Sequence, residues 1–97
     1  MYVTISEIHS EESGVARLQE AFRDRLHAVD HFQGFLGLEV LQDRRRRGRF
    51  LMVTRWDSRA SFLAYMKSPE HAASHARIPR DPRPRPAGLT EYELVTT

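Results

Sequence analysis

Phe35–Trp56 reads FLGLEVLQDRRRRGRFLMVTRW. Leu36, Leu38 and Val40 recur at every second residue, and after the polar stretch Asp43–Gly48 the same alternation returns as Phe50, Met52, Thr54, Trp56 against Leu51, Val53, Arg55. Each run has the length and period of a strand, and a short polar link between two such runs makes an antiparallel hairpin. The arrangement of everything else follows from this central pair. Upstream, Val15, Leu18, Phe22, Leu26 and Val29 recur at spacings of three and four until HFQG interrupts them. That spacing predicts one amphipathic helix burying a single stripe, with Glu11 and Glu12 at its positive end. Before it, MYVTISEIH alternates Tyr2, Thr4, Ser6 and Ile8 with Val3, Ile5, Glu7 and His9. Neither set suits solvent, so this strand belongs in the middle of a sheet.

Downstream, Asp57 or Ser58 can cap a helix that buries Phe62 and Met66. Ser68-Pro69 stops that helix and starts another, since a serine cap followed by proline is a helix-start signal. The new helix carries His71 and His75, whose i, i+4 spacing points both imidazoles the same way. IPRDPRPRPAG, residues 78–88, is too rich in proline for helix or central strand and is predicted as an extended loop, and LTEYELVT closes the chain as a strand. The order is β-α-β-β-α-β, an α+β ferredoxin-like pattern with a four-stranded antiparallel sheet and a second helix broken at Ser68-Pro69. Helices fall on one face of such a sheet. Apolar residues on both faces of the strands therefore predict a homodimer of α/β-barrel type, joined sheet to sheet. The chain reads as one domain over residues 1–97.

With 97 residues, 40% hydrophobic and 29% charged, the composition is that of an ordinary globular domain. No apolar run reaches the length of a membrane span, and MYVTISEIHSEE lacks the basic start and apolar core of a secretory leader, so a cytoplasmic location is expected. There is no cysteine, which excludes disulfides, thiolate ligands and a cysteine nucleophile. No glycine-rich phosphate loop, Ser-His-Asp order or close carboxylate pair points to nucleotide or hydrolase chemistry. The run Arg44–Arg47 with Arg49 has no interleaved aromatics, so it reads as a solvated hairpin and no nucleic-acid partner is expected. Arg77, Arg80, Arg83 and Arg85, in or beside the proline-rich segment, could close over an anionic substrate. Read from spacing alone, Phe22, Phe62 and Met66 are core residues with or without a pocket, and His75 on a short helix is more often a surface or hydrogen-bonded histidine than a metal ligand.

HAVDHFQGFLGLEVL, RFLMVTRWDSRASFLAYMKSPEHAASH and LTEYELV together resemble the antibiotic biosynthesis monooxygenase superfamily, and within it the heme-degrading monooxygenases. The resemblance covers the chain apart from the proline-rich segment. GFLG followed by a strand ending W-[DE]-S-x-x-x-F is specific to the superfamily more than to heme. The heme-degrading members use a histidine as axial iron ligand, a tryptophan that forces the porphyrin out of plane and an asparagine near the distal oxygen. By resemblance these fall on His75, Tyr65 and Ser6, of which only His75 keeps the family's residue type. Phe22 and Phe62 would line the heme, and Arg25 would face its propionates. The resemblance implies heme as substrate or ligand, a homodimer and an external electron donor. Two other readings stay open: a cofactor-independent monooxygenase acting on a quinol-like aromatic substrate with His75 or His71 as base, and a non-catalytic dimeric binding protein.

Overall fold

The computed structural model describes residues 1–25 and 27–97. In chain order the elements are β1 (Tyr2–His9), α1 (Val15–Arg23), β2 (Phe35–Gln42), β3 (Arg49–Trp56), α2 (Arg59–Met66), α3 (Pro69–His75) and β4 (Arg85–Glu93). The strands form one antiparallel sheet in the order β2-β3-β1-β4. β1 is central as its two-sided apolar pattern demanded, with Thr4 opposite Thr54 on one side and Glu91 on the other. Tyr2, Thr4, Phe50, Thr54 and Trp56 are buried and lie on the face that the helices cover. The other face, carrying Val3, Ile5, Leu51 and Val53, has no helix on it among the described residues.

Two apolar clusters fasten the helices. Val15 and Leu18 of α1 pack on Phe50, with Ile8, Phe22 and Val40 around them. Tyr2, Val29, Trp56, Phe62 and Tyr65 form the second, bordered by Phe32, Phe35, Leu38 and Leu63. Trp56 donates its indole N–H to Thr54 Oγ1 at 3.0 Å, and Thr54 is in turn hydrogen-bonded to Thr4, so these buried polar groups are satisfied. Gly34 enters β2 at φ 88°, where a side chain would also meet Ser61 and Asp57; glycine is required there on both counts. Ser58 and Ser68 accept from the backbone N–H groups of Ser61 and His71, which caps α2 and α3 and produces the expected break at Ser68-Pro69.

Three expectations need correcting. The first helix ends at Arg23 instead of running on to Val29, which sits on a separate 3-10 turn, Ala28–His31. Leu26, which the helical stripe included, lies outside the described residues. The reason for the break is that Val29 belongs to the aromatic cluster and Val15 to the other, and a straight helix would not serve both. On α2 the buried partner of Phe62 is Tyr65, while Met66 is 39% exposed. β4 begins at Arg85, inside the segment expected to be a loop; Pro86 lies opposite Ile8 beside a register shift, and an edge strand tolerates a residue that cannot donate.

Trp56→Ala is expected to cost about 3–5 kcal/mol, because the ring is buried among four aromatic neighbours that cannot close the void. Urea unfolding measures this, with Ser68→Ala as a milder comparison at about 1 kcal/mol.

Candidate functional site

A cleft of about 240 Å³ opens between α1 and the β2–β3 hairpin. Phe22, Leu38, Val40 and Phe50 make its apolar wall, and Gln19, Gln42, Arg23 and Arg25 its polar border. It exists because α1 is anchored through Leu18 and Phe50, 0% and 2% exposed, and leaves part of β2 uncovered. The Phe22 and Phe50 rings stand 5.6 Å apart. At one end Gln19 Nε2 donates to Gln42 Oε1 and Gln42 Nε2 donates to the Arg47 carbonyl, both at 2.7 Å. At the other, Arg25 Nη1 lies 3.1 Å from Asp30 Oδ1, and His27 Nδ1 lies 2.8 Å from Asp30 Oδ2. The His27 ring, and after it Arg25, hold the Asp30 carboxyl below its ordinary range. Leu38 belongs both to this wall and to the aromatic cluster, so the two regions are continuous.

The histidine face of α3 lies beyond that cluster. Tyr65, 8% exposed, packs against Trp56 at 5.4 Å and against Phe32 at 5.3 Å. His71 presents its ring to Tyr65 edge-on at 5.3 Å, and the His71 and His75 rings are 6.1 Å apart, on one side of the helix as their spacing requires. The two differ in environment. His71 is half-buried and His75 exposed. Burial, and after it the nearby His75, push the His71 imidazole below its ordinary value, so it is neutral at neutral pH. Ser74 Oγ is buried with no hydrogen-bond partner among the described residues.

The residues singled out in the sequence are thus distributed as follows. Phe22 and Arg25 meet in the cleft. Phe62 and Tyr65 sit in the aromatic cluster, Ser6 is half-buried on the helix-covered face of β1 between Met52 and Leu89, and His75 is exposed on α3. Leu38, Val40, Phe50, Gln19 and Gln42 were not anticipated as a site. Alternation assigned the strand residues to a face without revealing which part of it α1 leaves open. The basic segment after α3 is tied to α1: Arg17 Nη1 donates to the Asp81 carbonyl at 2.7 Å, and Arg77 Nη2 to the Asp24 carbonyl at 3.0 Å and carboxylate at 3.1 Å. Arg77 is thereby paired with the Asp24 carboxylate, as Arg25 is with that of Asp30.

The state of His71 has a measurable consequence. Its folded pKa lies below the ordinary 6.5, so the unfolded ring takes up a proton first as pH falls. The associated stability is fully present above pH 6.5 and is lost as pH drops through the folded value. NMR titration is expected to place the His71 midpoint below 6.5, and His71→Gln to remove that part of the acid-side loss of stability.

Residues 1–77 match the antibiotic biosynthesis monooxygenase family. A mycobilin-producing heme oxygenase of Mycobacterium tuberculosis is 34% identical over 93 residues, which span 96% of this chain and 88% of that protein. The solved structure of the heme-degrader MhuD from the same organism, with two hemes bound in its active site, superposes with a TM-score of 0.83 at 33% identity, over 100% of this chain and 98% of that one. A structure from Bordetella bronchiseptica reaches 0.84 at only 11% identity, over 98% and 97% of the two chains, so the fold persists where the sequence does not. The strand order, the broken second helix and these likenesses agree, and the chain belongs to the antibiotic biosynthesis monooxygenase family.

Proposed function

We propose that this chain is a heme-binding monooxygenase that takes heme on the helix-covered face of its sheet and degrades it oxidatively. The observation that carries the reading is that Phe22 and Arg25, assigned separately to the porphyrin and its propionates, line one cleft. An apolar wall of Phe22, Leu38, Val40 and Phe50 bordered by arginine suits a flat apolar ligand with anionic edges. His75 is the axial iron ligand in this reading, and its exposure leaves the imidazole open to an incoming ligand. Tyr65 and Phe62 back the histidine face from the aromatic cluster, and Ser6 supplies a hydroxyl in place of the family's asparagine. Heme oxidation draws its electrons from an external donor.

The same assembly accounts for the uncovered sheet face. Val3, Ile5, Leu51 and Val53 continue into Leu41, 50% exposed, and Tyr92, 47% exposed, and β4 is exposed along its whole length. A second copy laid sheet to sheet would cover this apolar surface. No helix among the described residues is long and apolar enough to cross a membrane, in keeping with a cytoplasmic enzyme. One observation favours a second reading. The neutral His71 imidazole is suited to accept a proton from a quinol-like substrate, as a cofactor-independent monooxygenase requires.

Hemin titration followed in the Soret region decides between them. Saturable, stoichiometric binding is expected, with His75→Ala shifting the band and weakening affinity about tenfold or more, equivalent to ~1.4 kcal/mol. Binding indifferent to His75 removes the axial assignment, and turnover of a quinol without hemin supports the second reading. Light scattering is expected to give a dimer that Tyr92→Glu with Leu41→Glu converts to monomer, since both side chains are exposed and their loss leaves the core intact.

A further inference from the structure

The longest unbroken run of positive charge in this chain is Arg44–Arg47. Arg44–Arg47 carry four charges in a row, and taking them from the formal +2 leaves −2 for all the rest. The tip that carries them is held in a fixed shape. Asp43 Oδ1 accepts from the backbone N–H of Arg45 at 2.7 Å and of Arg46 at 2.9 Å, Arg49 N–H donates to the Arg46 carbonyl at 2.8 Å, and Gln42 holds the Arg47 carbonyl. Gly48 passes so close to the Ser10 carbonyl that a side chain would not fit. The acids nearby are engaged elsewhere. Arg49 pairs with Glu7 at 2.8 Å and with Asp43 at 3.2 Å, and Arg49 with His9 drives Glu7 down to about 2. Among the described residues, no ion pair involves Arg44, Arg45, Arg46 or Arg47, and all four are exposed.

We propose that this hairpin tip is the docking surface for an acidic electron-carrier protein, a partner that the heme-oxidation reading above requires and on which this inference rests. The tip adjoins the cleft through Gln42, whose side chain joins the Arg47 carbonyl to Gln19 at the cleft's end. With heme bound in the cleft, a carrier seated there would supply the electron that reduces its ferric iron, the carrier being oxidised by one electron. Four guanidinium groups carried on a preordered turn steer an acidic face by long-range attraction, and little backbone entropy remains to be lost on docking. A nucleic acid fits less well. The tip has no aromatic side chain for a base to stack on, and the rest of the chain carries a formal −2, which gives a long polyanion no net attraction beyond the tip.

The probe is a plant-type [2Fe–2S] ferredoxin, an acidic carrier, titrated calorimetrically into the full chain at about 20 mM and about 200 mM salt. The wild type is expected to bind, weakening about tenfold or more between the two salts, and the variant R44Q/R45Q/R46Q/R47Q to lose about tenfold or more at low salt. Hemin titrations of the two proteins are expected to coincide, which shows that the variant is folded. Absence of ferredoxin binding, binding equal in the variant, or tighter binding to duplex DNA at the same salt overturns the assignment. Ferredoxin binding without hemin binding would instead leave the docking surface standing and remove the heme reading, so the two fail separately.

Discussion

Trp56 packs against four aromatic rings from two stretches of the chain: Phe32 at 6.5 Å and Phe35 at 5.4 Å, and Phe62 at 5.9 Å and Tyr65 at 5.4 Å. Each such pair adds about 0.5–1.5 kcal/mol beyond its buried area, and the geometry is directional, so the ring fixes orientation as well as contact. The last residue of β3 thereby sets where α2, the turn before β2 and the entry to β2 lie. α1 is anchored independently at the other cluster, on Phe50. The candidate cleft is the space left on β2 between these two anchorages, with Leu38 common to both sides.

The two faces of the sheet have different roles. On the covered face, the aromatic cluster ends at Tyr65, against which His71 rests, so the histidines of α3 are positioned by the same packing that holds the fold. Tyr2 donates to Glu91 at 2.5 Å and Arg59 Nε reaches the same carboxylate oxygen at 2.6 Å, which ties β4 to the start of α2. The tyrosine is pushed up to about 12, chiefly by burial and then by Glu91, so it stays a neutral donor. On the open face, alternation places apolar side chains that no described helix covers, and Leu41 and Tyr92 among them are half exposed. A protein this small buries a limited share of its surface alone, and association is the natural supplement.

Much of this was legible because its causes are local. The strands declared themselves by period, and the break at Ser68-Pro69 by a cap and a proline that act within one turn. Where Phe62 finds its partner is not local: three- and four-residue spacings are equally helical, and only the position of Trp56 selects Tyr65 over Met66. The end of α1 before Val29 and the start of β4 at Arg85 depend likewise on a second cluster and on an edge with no neighbour. For the site, spacing placed Phe22 in the core and offered no role for Arg25; the family resemblance named both, and packing brought them together. The difference between His71 and His75 was invisible, since burial of one and exposure of the other follow from how α3 lies against Tyr65.

The central claim is that a flat anionic tetrapyrrole binds on the helix-covered face, between the α1 cleft and α3. Backbone amide NMR with gallium protoporphyrin, a diamagnetic stand-in for heme, tests it most directly. Saturable shifts confined to Phe22, Arg25, Leu38 and the α3 residues 71–75, with Val3, Ile5 and Leu51 unmoved, are the predicted result. Shifts centred on Val3, Ile5 and Leu51, or no saturable change at all, would contradict it.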